Sequence, residues 1–132
     1  MPASFFDTNI LVYAASTDTA KADRVEAILA GGGTISVQVL NELANVARRK
    51  MLMPWPETRV FLNAFRALLA VHPLTVEIHD AGVRLAERYG LSTYDAMIAA
   101  SALHAGCDTL WSEDLQHGMR IDKSLRVVNP FV

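Results

Sequence analysis

Four carboxylates, Asp7, Glu42, Asp95 and Asp114, stand where a metal-assisted reaction would need them. Asp7 directly follows a short apolar strand, and Asp114 follows a second one; Glu42 and Asp95 fall in the early turns of helices. Ligands of an open α/β sheet bind outside the carboxyl ends of its strands, so acids far apart in sequence would meet at one edge. Asp95 shares a helical face with Ile98, Ala99 and Ala102, and Glu42 borders the stripe of Val39 and Val46. A carboxylate pressed toward a core is costly, and several together repel one another. A divalent cation offsets both costs. Oxygen ligands without His or Cys select Mg²⁺, Mn²⁺ or Ca²⁺ over Zn²⁺.

Each acid also has an ordinary reading. Asp95 fits a capping box begun by Ser92, and Asp7 opens a run of turn formers, Asp-Thr-Asn. Glu42 suits a solvated helix edge, and Asp114 suits a polar loop beside Glu113. Only the joint placement favours a site. No rival site assembles: His72, His79, His104 and His117 lack an i,i+4 pair or a neighbouring Cys. Gly31, Gly32 and Gly33 follow a helix and carry no Lys-Ser/Thr, so they form no phosphate loop. Ser92 and Ser112 have no nucleophile-elbow context. Trp55, between two prolines, reads as a packed anchor, and His117 and Arg120 as solvated loop residues.

Strands and helices alternate around these acids. Strands are expected at 4–6, 34–37, 71–74, 108–112 and 125–128, the second of them β-branched and short. Helices are expected at 20–30, 38–50, 57–70, from the Thr75 cap to Tyr89, and at 93–105 behind the Ser92 cap; 113–123 reads as a polar loop. Helix 57–70 carries Val60, Phe61, Ala64, Phe65 and Leu68 on one face. Short buried strands separated by helices give an α/β fold: a central, mostly parallel sheet of four to five short strands with helices on both faces.

At 132 residues, 52% apolar and 20% charged, the chain has the size and composition of one folded domain. No apolar stretch is long enough for a membrane span, and the N-terminus lacks the features of a secretory signal. The lone Cys107 fits a reducing, cytoplasmic setting. A net charge of −2 argues against a nucleic-acid partner until its distribution is considered. Without the four acids, 10 carboxylates face 12 Lys and Arg. The cluster Arg48-Arg49-Lys50 reads as a solvated last helical turn complementing the helix dipole.

The stretch Phe6-Asp7-Thr8-Asn9-Ile10-Leu11-Val12-Tyr13 resembles the opening of PIN-domain ribonucleases, especially VapC-type toxins of bacterial toxin–antitoxin pairs. The resemblance continues through Ser36-Val37-Gln38-Val39-Leu40-Asn41-Glu42 and Leu91-Ser92-Thr93-Tyr94-Asp95-Ala96-Met97-Ile98-Ala99-Ala100. It ends in the run from Gly106 through Ser112-Glu113-Asp114 to Gly118, and in Val128-Asn129-Pro130-Phe131. It implies one PIN domain over residues 1–132 and an acidic pocket of Asp7, Glu42, Asp95 and Asp114 holding Mg²⁺ or Mn²⁺. Thr8 or Asn9, and Ser112, would orient a carboxylate or a bound water. Asp114 is preferred to Glu113 by its Ser-x-Asp spacing from Ser112. The implied reaction is hydrolysis of RNA leaving a 5′-phosphate and a 3′-hydroxyl. The implied partners are RNA, a cognate antitoxin blocking the pocket, and a second copy in a homodimer, for which helix 57–70 is one candidate interface. Two other functions remain open at this point. One is hydrolysis of small phosphate esters, although a haloacid-dehalogenase-type enzyme would want an Asp at position 9. The other is an RNA- or protein-binding module that does not cut.

Overall fold

The computed structural model describes residues 3–132, so the first two positions of the expected domain lie outside the described residues. Six strands form one sheet: β1 (Ser4–Phe6), β2 (Thr34–Ser36), β3 (Ala70–His72), β4 (Thr109–Trp111), β5 (Arg120–Ile121) and β6 (Leu125–Val128). Their spatial order is β3-β2-β1-β4-β6-β5. Every neighbouring pair is parallel except β5 and β6. Six helices connect them: α1 (Thr8–Val12), α2 (Thr19–Leu29), α3 (Val37–Arg49), α4 (Trp55–Leu68), α5 (Val76–Tyr89) and α6 (Thr93–His104). A 3₁₀ turn at Tyr13–Ala15 follows α1.

The sheet is covered on both faces. Successive strand side chains point to opposite faces, yet Phe5 and Phe6 of β1 are both fully buried, as are Ile35 and Ser36 of β2. Helix α6 is buried almost all round from Ala96 to Ala102, and its small side chains admit close neighbours. Gly82 of α5 exploits that: a Cβ there would collide with Met97 Sδ and stand 3.3 Å from Met97 Cα. No helix among the described residues is long and apolar enough to cross a membrane.

Several local expectations are corrected. The segment after β1 is not a turn but the short helix α1, because Asp7 caps it by accepting from Thr8 N–H at 2.7 Å. The sheet has six strands, since the supposed polar loop 113–123 contains β5, whose Ile121 is fully buried. Val37 belongs to α3 rather than to the preceding strand, because Ser36 Oγ accepts from Val39 N–H and starts the helix one residue early. Helix α4 begins at Trp55, where Pro54 precedes it and Pro56 suits the first turn. It ends at Leu68, which moves β3 forward to Ala70. The apolar face expected on α4 is mostly outside the core: Phe65 is buried, while Val60 is 71% and Leu68 58% exposed. Trp55 is no packed anchor, at 56% exposed.

Candidate active site

The central strands β1 and β4 pair in register, Phe6 opposite Trp111, and the ladder extends one bond further as Asp7 N–H donates to Trp111 O at 2.9 Å. The residues just beyond, Asp7 and Ser112, therefore emerge side by side. Ser112 Oγ donates to Asp7 Oδ2 at 2.8 Å, and Asn9 Nδ2 donates to the same oxygen at 3.2 Å. With Thr8 N–H on Oδ1, three donors fix a carboxylate that is almost completely buried.

Glu42 lies in the second turn of α3, half-buried, and accepts from Thr8 Oγ1 at 3.3 Å. Asp95 lies in the first turn of α6 and is also half-buried. Half of the capping box forms: Ser92 Oγ caps α6 by accepting from the backbone N–H of Asp95, while among the described residues the Asp95 carboxylate makes no return bond to Ser92 N–H. The starts of α3 and α6 are tied by Gln38, whose Nε2 donates to Tyr94 O at 3.1 Å. Asp114 is exposed on the loop after β4. With Thr8, Asn9, Glu42, Asn45 and Lys50 it lines a cleft of about 510 Å³.

Glu113 is used differently from its neighbour. Tyr13 OH donates to its Oε1 at 2.6 Å, Lys21 Nζ lies 3.3 Å from its Oε2, and its backbone N–H donates to Asn9 Oδ1 at 3.1 Å. Asn9 thereby joins the Asp7 carboxylate to the loop that carries Asp114. Reading the sequence missed Gln38, Tyr13 and Lys21. A buried Gln beside Val39 on an apolar stripe was the one available hint; Tyr13 and Lys21 gave none, since their partner lies about a hundred positions away.

Residues 4–118 match the PIN domain family. The chain belongs to that family. Among solved structures, this PIN domain superposes on a toxin–antitoxin complex from Klebsiella pneumoniae with a TM-score of 0.75 and 21% identity, covering 97% of this chain and 98% of that one. VapC20 of Mycobacterium tuberculosis, a toxin that cleaves the sarcin-ricin loop, gives 0.69 at 18% identity over 85% and 92% of the two chains. VapBC2 of Rickettsia felis, bound to a promoter DNA fragment, gives 0.69 at 22% identity over 95% and 96%. At these identities the likeness is one of fold. No curated protein sequence matches the chain.

Burial and neighbouring charge perturb two acids of this PIN domain, Asp7 and Glu42. Burial pushes the Asp7 carboxyl up to about 6, against the lowering effect of the Ser112 and Thr8 hydrogen bonds, and the Asp95 and Glu42 charges push it further. Burial also raises Glu42, opposed by bonds from Thr8 and Gln38 and reinforced by Asp95 and Asp114. Each acid thus lies within electrostatic reach of at least one other. The ion pairs among the described residues are Lys21–Glu113 and Arg88–Asp122, and neither reaches Asp7, Glu42, Asp95 or Asp114. Among the described residues, no three His, Cys, Asp or Glu side chains already converge to ligating distance. The donor set nevertheless fits a hard divalent cation: all oxygen, without a counter-cation, and centred on a desolvated carboxylate held by three donors. Asp7, Glu42, Asp95 and Asp114 are the side chains that could hold it.

Proposed function

We propose that this PIN domain is a metal-dependent endoribonuclease and the toxin of a toxin–antitoxin pair, its domain spanning residues 1–132. The observation that carries the reading is the buried Asp7 carboxylate, paired with no cation among the described residues, within reach of the Glu42 and Asp95 charges, and followed by Thr8 and Asn9 in the lining of an open cleft. Asp7, Asp95, Glu42 and Asp114 would hold Mg²⁺ or Mn²⁺, with Asp7 and Asp95 the most direct. The bound cation supplies the positive charge that admits a phosphodiester to a carboxylate pocket and steadies the charge built up as the P–O bond breaks. The chain's own residues do the rest. Ser112, Asn9 and the Thr8 amide hold the Asp7 carboxylate in one orientation, and the Thr8 hydroxyl steadies Glu42. Lys50 at the cleft's rim offers a charge to an adjacent phosphate.

The products would be a 5′-phosphate and a 3′-hydroxyl, and the setting the cytoplasm. The acidic cleft suits blockade by an antitoxin segment bearing Arg, whose guanidinium pairs with carboxylates in two-point fashion. That partner accords with the toxin–antitoxin complexes that share the fold, and a second copy of the chain in a homodimer belongs to the same reading. Incubation of the purified protein with a mixed RNA pool in Mg²⁺, Mn²⁺ or EDTA, beside Asp95→Asn, tests the reaction. Cleavage should require the cation and disappear in the variant. Cleavage that persists in EDTA, or a variant that cuts at the wild-type rate, would sink the reading.

A further inference from the structure

The last turn of α3 and the first residue of α4 place a basic tract against an open aromatic ring. Arg49 and Lys50 are exposed, and no carboxylate among the described residues pairs with either. Arg48 is half-buried; its Nη1 donates to Met53 O at 2.6 Å, and its guanidinium carbon stands 4.2 Å from the centre of the Trp55 ring. Helix-dipole complementation accounts for cations at this helix end but not for the indole. A guanidinium stands over the Trp55 ring, and 56% of the residue is still in solvent, which leaves indole surface for a second flat group. Pro54 and Pro56 restrict the backbone on either side, and the pinned Arg48 holds the ring. Little freedom is left to lose when a flat group stacks there.

The tract is continuous with the acids. Asn45 lines the acidic cleft with Glu42 and Lys50, and also the shallow groove formed with Ala44, Arg48, Arg49 and Trp55. Glu42, Asn45 and Arg49 follow one another along a single stripe of α3, which climbs about 10 Å over those seven residues. A strand with one phosphate at the acids would therefore pass Lys50 and Arg49 before reaching the indole. We propose that Trp55, Arg49 and Lys50 form a subsite for single-stranded RNA, in which a base flanking the cleaved bond stacks on Trp55. The proposal rests on the nuclease reading for its substrate. A single strand is required because a base inside a duplex has both faces already stacked, whereas a splayed base offers a free one.

The test is binding in EDTA, where no cutting occurs, of a short fluorescein-labelled single-stranded oligoribonucleotide of mixed sequence, followed by anisotropy. Trp55→Ala should weaken binding about tenfold, while Trp55→Phe, which keeps a ring, should stay near wild type. Arg49→Ala combined with Lys50→Ala should flatten the slope of log affinity against log salt by about 1.4. The same sequence as a duplex should be indifferent to Trp55→Ala. Circular dichroism and melting of each variant check that it is folded. A folded Trp55→Ala that binds the single strand as tightly as wild type overturns the proposal. So does a Trp55→Ala that changes only the oligomeric state, which would assign the indole to contact with a second copy. Cutting in Mg²⁺ or Mn²⁺ without any effect of Trp55 on binding would leave the nuclease standing and the subsite refuted. Trp55-dependent binding by a protein that cuts no RNA would do the reverse.

Discussion

Asp7 pays for its position in the metal-free state. Its carboxyl is held near 6, against 3.8 in an unfolded chain, chiefly because burial disfavours the charge. The folded form therefore binds the proton more tightly than the unfolded form does. This group's contribution to stability is undiminished below the unfolded value, falls as pH rises from about 4 to about 6, and is level above that. At neutral pH the penalty is on the order of 3 kcal/mol. Asp7→Asn keeps the acceptor for Thr8 N–H, and the Ser112 hydroxyl can accept from the new amide; the bond from Asn9 is lost, at about 1 kcal/mol, less than the charge penalty removed. In EDTA, urea unfolding of that variant should show a higher midpoint than wild type above pH 6, with the gap closing near pH 4. Superimposable pH profiles for the two proteins would show that Asp7 carries no such penalty.

At the scale of elements, the site depends on how closely helices and strands approach, and Gly82 sets one such approach. Gly82→Val would drive a branched side chain into Met97, two residues after Asp95 on α6. Overpacking of this kind costs about 1–3 kcal/mol, and the shift of α6 should lower cleavage as well as the melting temperature. A variant that melts and cuts like wild type would show that α6 can yield without disturbing Asp95. The strong local signals made most elements legible: the Thr75 and Ser92 caps, the Gly90 stop of α5, and apolar runs at the central strands, whereas the Ser36 cap passed for the end of a strand. Helix α1 was hidden because Asp-Thr-Asn favours turns and caps equally, and only tertiary packing of Ile10 and Leu11 decides between them. The two-residue β5 carries no periodicity to read; β6 and the burial of Ile121 define it. Helix α4 shows the converse failure. Its apolar stripe is real, but only the part around Phe65 meets the core.

For the whole molecule, the proposed cation would be a fold-stabilising ligand, since Asp7 and Glu42 each feel the charge of other acids. Mg²⁺ or Mn²⁺ at about a hundred times its dissociation constant should add about 2.7 kcal/mol, a rise in Tm of roughly 8 °C. That rise should shrink in Asp95→Asn, and a Tm indifferent to both ions would argue against the cation site. The places of Asp7 and Asp114 after strands, and of Asp95 and Glu42 near helix starts, could be read from pattern alone. The clamp of Tyr13 and Lys21 on Glu113 could not, because it joins segments that only the finished sheet brings together. That distance has a consequence for how the protein comes into being. The hydrogen bond from Ser112 to Asp7 spans 105 positions of sequence, and synthesis proceeds at about 5–20 residues per second. A newborn chain therefore carries Asp7 for seconds before Ser112 and Asp114 exist. A chain still being synthesised lacks both the hydroxyl that steadies Asp7 and the carboxylate of Asp114 that lines the cleft.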